Sequence, residues 1–152
     1  MPQQLPGLPR TFRGKWGPRV AYPTAVVVLV GIVALAVALP GGERGYGPID
    51  RVLIVVVGLA MAWVLHRLGA VRIVCTAQGV TVVNLFRRQQ FAWAEVVGVR
   101  LEDSAPWLVL DISDGTSVPA MGIQGSDGAY ARRQATDLAR LVAQQTRTPR
   151  DD

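Results

Sequence analysis

The sequence predicts a two-part protein, in which an N-terminal transmembrane α-hairpin precedes an α+β domain. Two long apolar segments lie between Val20 and Leu68, and short runs of β-branched residues follow from Ala70 onward. An amphipathic helical pattern ends the chain. We therefore expect a small antiparallel β-barrel or sandwich of about six or seven strands, capped by a C-terminal amphipathic helix.

Composition and charge narrow the classes of partner. Half of the 152 residues are hydrophobic and only 18% are charged, with the apolar excess concentrated in the two segments. The net charge of +5 invites a nucleic-acid interpretation. The arginines are dispersed, however, and the last helix mixes Asp137 with Arg133 and Arg140, so we do not expect a nucleic-acid partner.

The first apolar segment, residues 20–39, is predicted to be transmembrane helix 1. It has no charged residue, and its length fits a hydrocarbon core of about 30 Å. A cleaved signal peptide is the alternative, because basic residues precede the segment and "ALAVAL" resembles a cleavage site. Against cleavage, the segment exceeds the usual apolar core of about 7–15 residues, and a second apolar segment follows.

The second segment, residues 52–68, is predicted to be transmembrane helix 2. Its uninterrupted apolar part ends at Leu65 and by itself would also suit a buried helix. Arg51 and Arg67 are able to snorkel from its ends, and Trp63 suits an interfacial position. Residues 40–51 are rich in turn formers and are predicted to form an external loop.

The distribution of Lys and Arg predicts the orientation of this hairpin. Four cations lie in the basic N-terminal segment, residues 1–19, and four more follow the second span by Arg88, whereas the loop contains Arg44 and Arg51. The positive-inside rule then places both termini in the cytoplasm. We expect a multi-pass protein of the cell (inner or plasma) membrane.

Residues 69–146 are predicted to form the cytoplasmic domain. "AVRIVCTAQGVTVVNLF" contains two strand-like runs around Ala77-Gln78-Gly79, and a second pair of strands surrounds Asp114-Gly115. In "VVGVRLE", Val97, Val99 and Leu101 are predicted to share one face of a strand, since they alternate with Gly98, Arg100 and Glu102. We expect Ser126 or Asp127 to cap the last helix. The flanks "PQQLPGLPR" and "TRTPRDD" look disordered, so residues 147–152 are predicted to be a disordered tail.

These features together resemble a known family. The stretch "AQGVTVVNLFRRQQFAWAEVVGV", the "DG" hairpin, "AMGIQ" and the terminal helix are similar to the actinobacterial family of bacterial PH-like domains, whose namesake is the low-molecular-weight protein antigen 6. The resemblance covers residues 69–145, and family members with the same layout carry a similar membrane hairpin. It implies a PH-like barrel closed by a helix, and no enzyme activity.

Arg87 and Arg88 are the most prominent candidate contacts. We expect them at the tip of the second hairpin of the domain, with Phe91 and Trp93 returning to the core. They are either a solvated bend that opposes edge-to-edge pairing or a contact for anionic headgroups. The candidate headgroup or partner contacts are Arg72, Arg87, Arg88 and Trp107.

No constellation for catalysis is visible. Cys75 is the sole cysteine and suits a small buried residue better than a reactive thiol, and His66 is the sole histidine. The glycines of "GIQGSDG" suit a capped loop better than an anion site, since Asp127 would repel phosphate there. We predict no catalytic residue, no cofactor and no metal ligand.

The sequence therefore favours a membrane-anchored, non-catalytic interaction or scaffolding module on the cytoplasmic face. The alternative is specific binding of an anionic lipid or a small ligand by the PH-like domain. The partners expected are the lipid bilayer, a protein that the sequence does not identify and anionic headgroups, and homo-oligomerisation is left open.

Overall fold

The chain folds as two compact units. The computed structural model describes residues 7–42 and 45–146. A helical unit comprises Trp16–Ala70, and a second unit, which we call the β domain, comprises the described residues on either side of it. Two long apolar helices, seven antiparallel strands in two sheets and a C-terminal helix confirm the predicted fold class.

The helical unit consists of α1 (Gly17–Ala38) and α2 (Pro48–Gly69). Both helices are long and apolar enough to cross a bilayer. Arg51 joins them, because its Nη1 donates to the carbonyl oxygen of Ala36 at 2.5 Å and its Nη2 to that of Leu39 at 2.7 Å. The last carbonyls of a helix lack partners within the helix, so this side chain satisfies them and places a positive charge at the negative end of α1.

Small residues let the two helices approach closely. A Cβ atom built on Gly58 would lie 2.6 Å from Cγ2 of Ile32, so no larger residue fits there without movement. Nearer the opposite end, the rings of Tyr22 and His66 lie 5.9 Å apart. Close approach at a small residue such as Gly58 is typical of helix pairs in membranes.

The β domain contains two antiparallel sheets and one helix. The first sheet has the order β1–β2–β3–β4, and the second has the order β5–β6–β7. The strands are β1 (Arg10–Phe12), β2 (Arg72–Thr76), β3 (Gly79–Val83), β4 (Arg88–Phe91), β5 (Val96–Arg100), β6 (Trp107–Ile112) and β7 (Ser117–Gln124), and α3 (Ala129–Gln145) follows them.

Strand β1 lies in residues 1–19, which were predicted to be a basic segment separate from the domain. Phe12 lies opposite Ile73 of β2 and is buried in the core of the β domain. The prediction of disorder for "PQQLPGLPR" is wrong at Arg10, where β1 begins. A strand of three residues shows no alternation, and its partner lies beyond both apolar helices. Residues 2–6 and the predicted disordered tail, 147–152, fall outside the described residues.

The core lies between the two sheets and α3. Ile73, Leu108 and Leu110 are fully buried, and α3 contributes four buried side chains, Ala131, Leu138, Leu141 and Val142. Removing such a side chain from water stabilises the fold by about 1.5–3 kcal/mol before the entropy of ordering is subtracted. Strand β7 passes directly over β2, since a Cβ on Gly122 would lie 2.8 Å from the Cα of Arg72.

A β-bulge changes the face that β5 buries. The register with β6 shifts between Val96 and Gly98, so Val96 points into the core and Val97 is 63% exposed. The predicted alternation, with Val97 on the same face as Val99, is therefore wrong at this residue. A bulge adds one residue to a strand and cannot be read from the period of the sequence.

The start of α3 also differs from expectation. Its N-cap is Gly128, at φ +56°, and neither Ser126 nor Asp127 caps the helix with its side chain. The carboxylate of Asp127 instead accepts a hydrogen bond from the backbone N–H of Lys15 at 2.7 Å. This contact attaches the segment after β1 to the rest of the β domain, as does the ion pair of Arg10 with Asp137.

Candidate functional site

Two of the predicted contact residues lie on one rung of the first sheet. Arg72 is opposite Val83, and Val83 is opposite Arg88, so the three residues lie side by side on β2, β3 and β4. Neighbouring strands are about 4.8 Å apart, which separates the two arginine backbones by about 10 Å. Side chains opposite each other in a sheet share a face. We call Arg72, Arg87 and Arg88 the arginine rim.

Arg87 lies in the loop between β3 and β4, next to this rung. The loop is closed by a hydrogen bond of 2.8 Å from the N–H of Asn84 to the carbonyl oxygen of Arg87. Arg87 and Arg88 are exposed, and among the described residues neither guanidinium forms an ion pair. Two exposed, uncompensated cations are therefore available at this loop.

A buried amide holds the loop in place. Asn84 is 7% exposed, and its Nδ2 donates to the carbonyl oxygen of Pro119 at 2.6 Å. Its Oδ1 accepts from the N–H of Met121 at 3.0 Å. These bonds tie the end of β3 to β7 in the other sheet, so they fix the loop that carries Arg87. In the sequence, Asn84 only follows two valines at the end of a strand-like run, and nothing there indicates that its amide joins the two sheets.

The aromatic residues that follow the rim are structural. Trp93 is buried, and its Nε1 donates to the carbonyl oxygen of Thr76 at 3.0 Å. Phe91 packs against the core, and Val96 is 1% exposed. Trp107 is half-buried at the start of β6, opposite Gln124, and therefore belongs to the second sheet rather than to the rung.

Burial and ion pairing shift the pKa values of titratable groups in the β domain. Burial raises the pKa of the Cys75 thiol to about 12, although the charge of Arg10 opposes the shift. A bidentate contact from Arg100, at 2.7 and 2.8 Å, lowers the pKa of Asp111. Within the described residues, no group of three or more His, Cys, Asp and Glu side chains is placed to hold a metal ion.

A groove that the sequence did not predict runs between β5 and α3. Its larger part has a volume of ≈ 760 Å³, and a narrower part of ≈ 270 Å³ continues it past Val99 and Ala139 toward Arg132. Small and β-branched apolar side chains form much of the lining, and Gln145 and Thr146 add polar groups at the end of α3. The lining includes Val97, Val99, Ala135, Ala139, Val142 and Ala143. Val97 is exposed because of the bulge in β5, so the hydrophobic period of the sequence did not predict its place in the groove.

The β domain is similar to a known domain family. Residues 70–141, just under half of the chain, match a family model described as Bacterial PH domain. No curated protein and no solved structure matches the chain. Domains of this type commonly bind lipids or proteins and are generally non-catalytic, so the match supports an interaction or binding module.

Proposed function

We propose that the protein is a membrane-anchored interaction module that presents its β domain on the cytoplasmic face, as an anchored member of the antigen-6 type of PH-like proteins. The observation that carries this proposal is the pairing of β1 with β2. In the sequence, α1 and α2 come between β1 and β2, and these two strands pair with each other in one sheet.

The pairing supports a single topology. Four residues separate β1 from α1, and two separate α2 from β2. A sheet cannot be divided by a bilayer, because its backbone groups must pair with one another. If α1 and α2 cross the membrane, both chain ends therefore lie on the side that holds the sheet. The excess of Lys and Arg in both flanks favours the cytoplasmic side.

The same pairing argues against a cleaved signal peptide. Cleavage after α1 would remove β1 and, with it, Phe12, which is 2% exposed in the core. It would also remove the carboxyl end of α1 from the guanidinium of Arg51. The β domain would then lose an edge strand and expose the edge of β2.

Reporter fusions to the full chain test this topology. We expect the protein to stay in the membrane after alkaline carbonate extraction, and a C-terminal alkaline phosphatase to be inactive while a C-terminal fluorescent protein is bright. Phosphatase inserted after Gly42 should be active, which provides the matched control. An active C-terminal phosphatase, release by carbonate, or a mature N-terminus near Pro40 would each overturn the proposal.

Contact of the arginine rim with anionic headgroups is the second candidate function. The short connections to α1 and α2 leave from the end of the sheet that carries Arg72 and Arg88. Helices that span the bilayer would hold this end within a few residues of the headgroups. Each cation near an anionic surface contributes about 1 kcal/mol, so three cations suit adjustment of orientation rather than recruitment.

Hydrogen exchange in nanodiscs tests this candidate. With the full chain in anionic nanodiscs, we expect slower exchange over residues 84–90 than in zwitterionic nanodiscs, and salt should remove the difference. The double substitution Arg87→Ser, Arg88→Ser should abolish the difference. The pair Arg132→Ser, Arg133→Ser, also adjacent and exposed, is the matched control and should preserve it. Equal exchange in both lipids would exclude headgroup contact.

A further inference from the structure

Strand β5 presents a free edge beside the groove. It is the end strand of its sheet, and no described strand pairs with its outer side. An edge strand directs alternate backbone N–H and C=O groups away from the sheet, where they are able to bond another extended chain. Val97 projects from this strand with 63% of its surface exposed, which adds apolar area at the same place.

The opposite wall of the groove allows a chain to approach. Ala135, Ala139 and Ala143 recur along α3 at helical spacing and line the two parts of the groove. Their short side chains leave room between the helix and β5. The five residues of β5 extend over about 17 Å at about 3.4 Å per residue, which matches one short extended segment.

One end of the groove is basic, and its arginines are different from those of the arginine rim. Its narrower part reaches Arg132, and a neighbouring depression is lined by Arg132, Arg133, Asp137 and Arg140. Asp137 forms ion pairs with Arg10 and with Arg140, and Asp103 lies 3.3 Å from Arg132. Arg133 forms no ion pair with any described residue. The end of the groove therefore attracts negative charge.

We propose that this groove binds an extended segment of a partner protein that pairs with β5 as an added antiparallel strand. Alternate apolar side chains of the segment pack between Val97 and the alanine wall, and acidic residues at its amino end contact Arg132, Arg133 and Arg140. Strand addition obtains affinity from main-chain bonds and specificity from alternate side chains. The proposal rests on the interaction function proposed above and names the surface and the chemistry of the partner.

Charge and shape favour this occupant over two others. If a second copy of the chain bound here, Arg132, Arg133 and Arg140 of both copies would lie near one interface, and like charges at an interface oppose association. A bilayer surface has no extended backbone to pair with β5. A segment with an acidic end and alternate apolar side chains is able to pair with the edge of β5, pack against the apolar lining and contact the arginines at the end of the groove.

A defined peptide tests the proposal with the full chain in zwitterionic nanodiscs. The probe is a labelled peptide of three aspartates followed by three valine-threonine repeats, and its binding is followed by fluorescence anisotropy. One control peptide has proline in place of each threonine, which removes the donors needed for strand addition. A second control peptide has lysine in place of each aspartate.

Substitutions in α3 give the matched protein controls. Ala143→Leu narrows the groove, whereas Ala129→Leu adds the same bulk at an exposed residue outside it. We expect binding of the probe, weakening by about tenfold or more in Ala143→Leu and a change within about twofold in Ala129→Leu. Arg132→Ser, Arg133→Ser should weaken binding and reduce its salt dependence.

Several results would overturn the proposal. These are no binding of the aspartate probe, equal binding of the proline peptide, equal effects of the two leucine substitutions, or a dimer of the chain that Ala143→Leu dissociates. An active C-terminal phosphatase would overturn the cytoplasmic location without affecting peptide binding in nanodiscs, so the two failures are distinguishable.

Discussion

Phe12 lies directly opposite Ile73 in the antiparallel pair of β1 and β2, although both apolar helices separate the two residues in the sequence. Both side chains are buried in one core. The segment before α1 is therefore a structural part of the β domain, and a fragment that begins at Ala70 lacks one strand of its first sheet.

Substitution of Phe12 should destabilise the β domain. We expect Phe12→Ala to lower the free energy of unfolding by about 3 kcal/mol, because it removes a large side chain that is 2% exposed. Pulse proteolysis of the detergent-solubilised full chain in urea measures this change. Thr11→Ala, at an exposed residue of the same strand, is the control and should change it by less than about 0.5 kcal/mol. Equal effects would mean that β1 does not contribute to the core.

Substitution of Gly58 should separate the apolar helices. Gly58→Leu places a side chain where even a Cβ would lie 2.6 Å from Ile32, and overpacking of this kind costs about 1–3 kcal/mol. Gly31→Leu is the matched control, since nothing lies within 4 Å of a Cβ built there. The midpoint of thermal unfolding in detergent should fall only for Gly58→Leu, and a decrease of similar size for Gly31→Leu would contradict the helix packing.

Acid should weaken the second sheet through Asp111. Hydrogen bonds from Arg100 and then Ser117 hold the pKa of Asp111 below its ordinary value of 3.8. A carboxyl group with a depressed folded-state pKa stabilises the fold above its unfolded pKa, and this stabilisation is lost as the pH falls through the folded pKa. Unfolding midpoints should therefore decrease as the pH falls below 3.8.

Asp111→Asn isolates this contribution. The substituted chain should lose less stability between neutral and acid pH than the parent. Asp103→Asn removes a carboxylate that is 95% exposed and should leave the parent's pH profile nearly unchanged. Parallel profiles for the parent and Asp111→Asn would show that the contact with Arg100 does not persist in solution.

The Cys75 thiol should report unfolding of the β domain. It is fully buried, and a pKa of about 12 leaves almost no thiolate at neutral pH. We expect no labelling of the folded full chain by a maleimide at pH 7 over minutes, and complete labelling in denaturant. Because Cys75 is the sole cysteine, the native chain needs no other substitution. Rapid labelling without denaturant would contradict its burial.

Loss of the Asn84 amide should loosen the loop that carries Arg87 of the arginine rim. Asn84→Ala leaves the N–H of Met121 and the carbonyl oxygen of Pro119, both partly buried, without this partner, at a cost of about 1 kcal/mol. Gln90→Ala, at an exposed residue of β4, is the control. Hydrogen exchange over residues 84–88 should accelerate only in Asn84→Ala.

Short-range sequence patterns predicted the helices and the turn that form from neighbouring residues. The Asp114-Gly115 turn joins β6 to β7, and the apolar runs gave helices whose observed bounds, Gly17–Ala38 and Pro48–Gly69, lie within a few residues of the predicted ones. Strand β1 was missed because its partner is remote, and the orientation of Val97 was missed because the bulge breaks the period.

The candidate sites divide in the same way. The exposure of Arg87 and Arg88 followed from their place between two apolar runs. Their alignment with Arg72 depends on the register of three strands, and the groove depends on the packing of α3 against β5, which no short stretch of sequence specifies.

The position of β1 also sets the order of events during synthesis. At about 5–20 residues per second, β1 leaves the ribosome several seconds before β2, and the two apolar helices are made in between. If α1 and α2 insert into the membrane as proposed, the first sheet forms only when both ends of the hairpin lie on the side that holds β1. An inverted or half-inserted chain would keep Phe12 exposed to chaperones and proteases. On the proposed topology, the three residues of β1 therefore make correct insertion of the hairpin a condition for completing the first sheet.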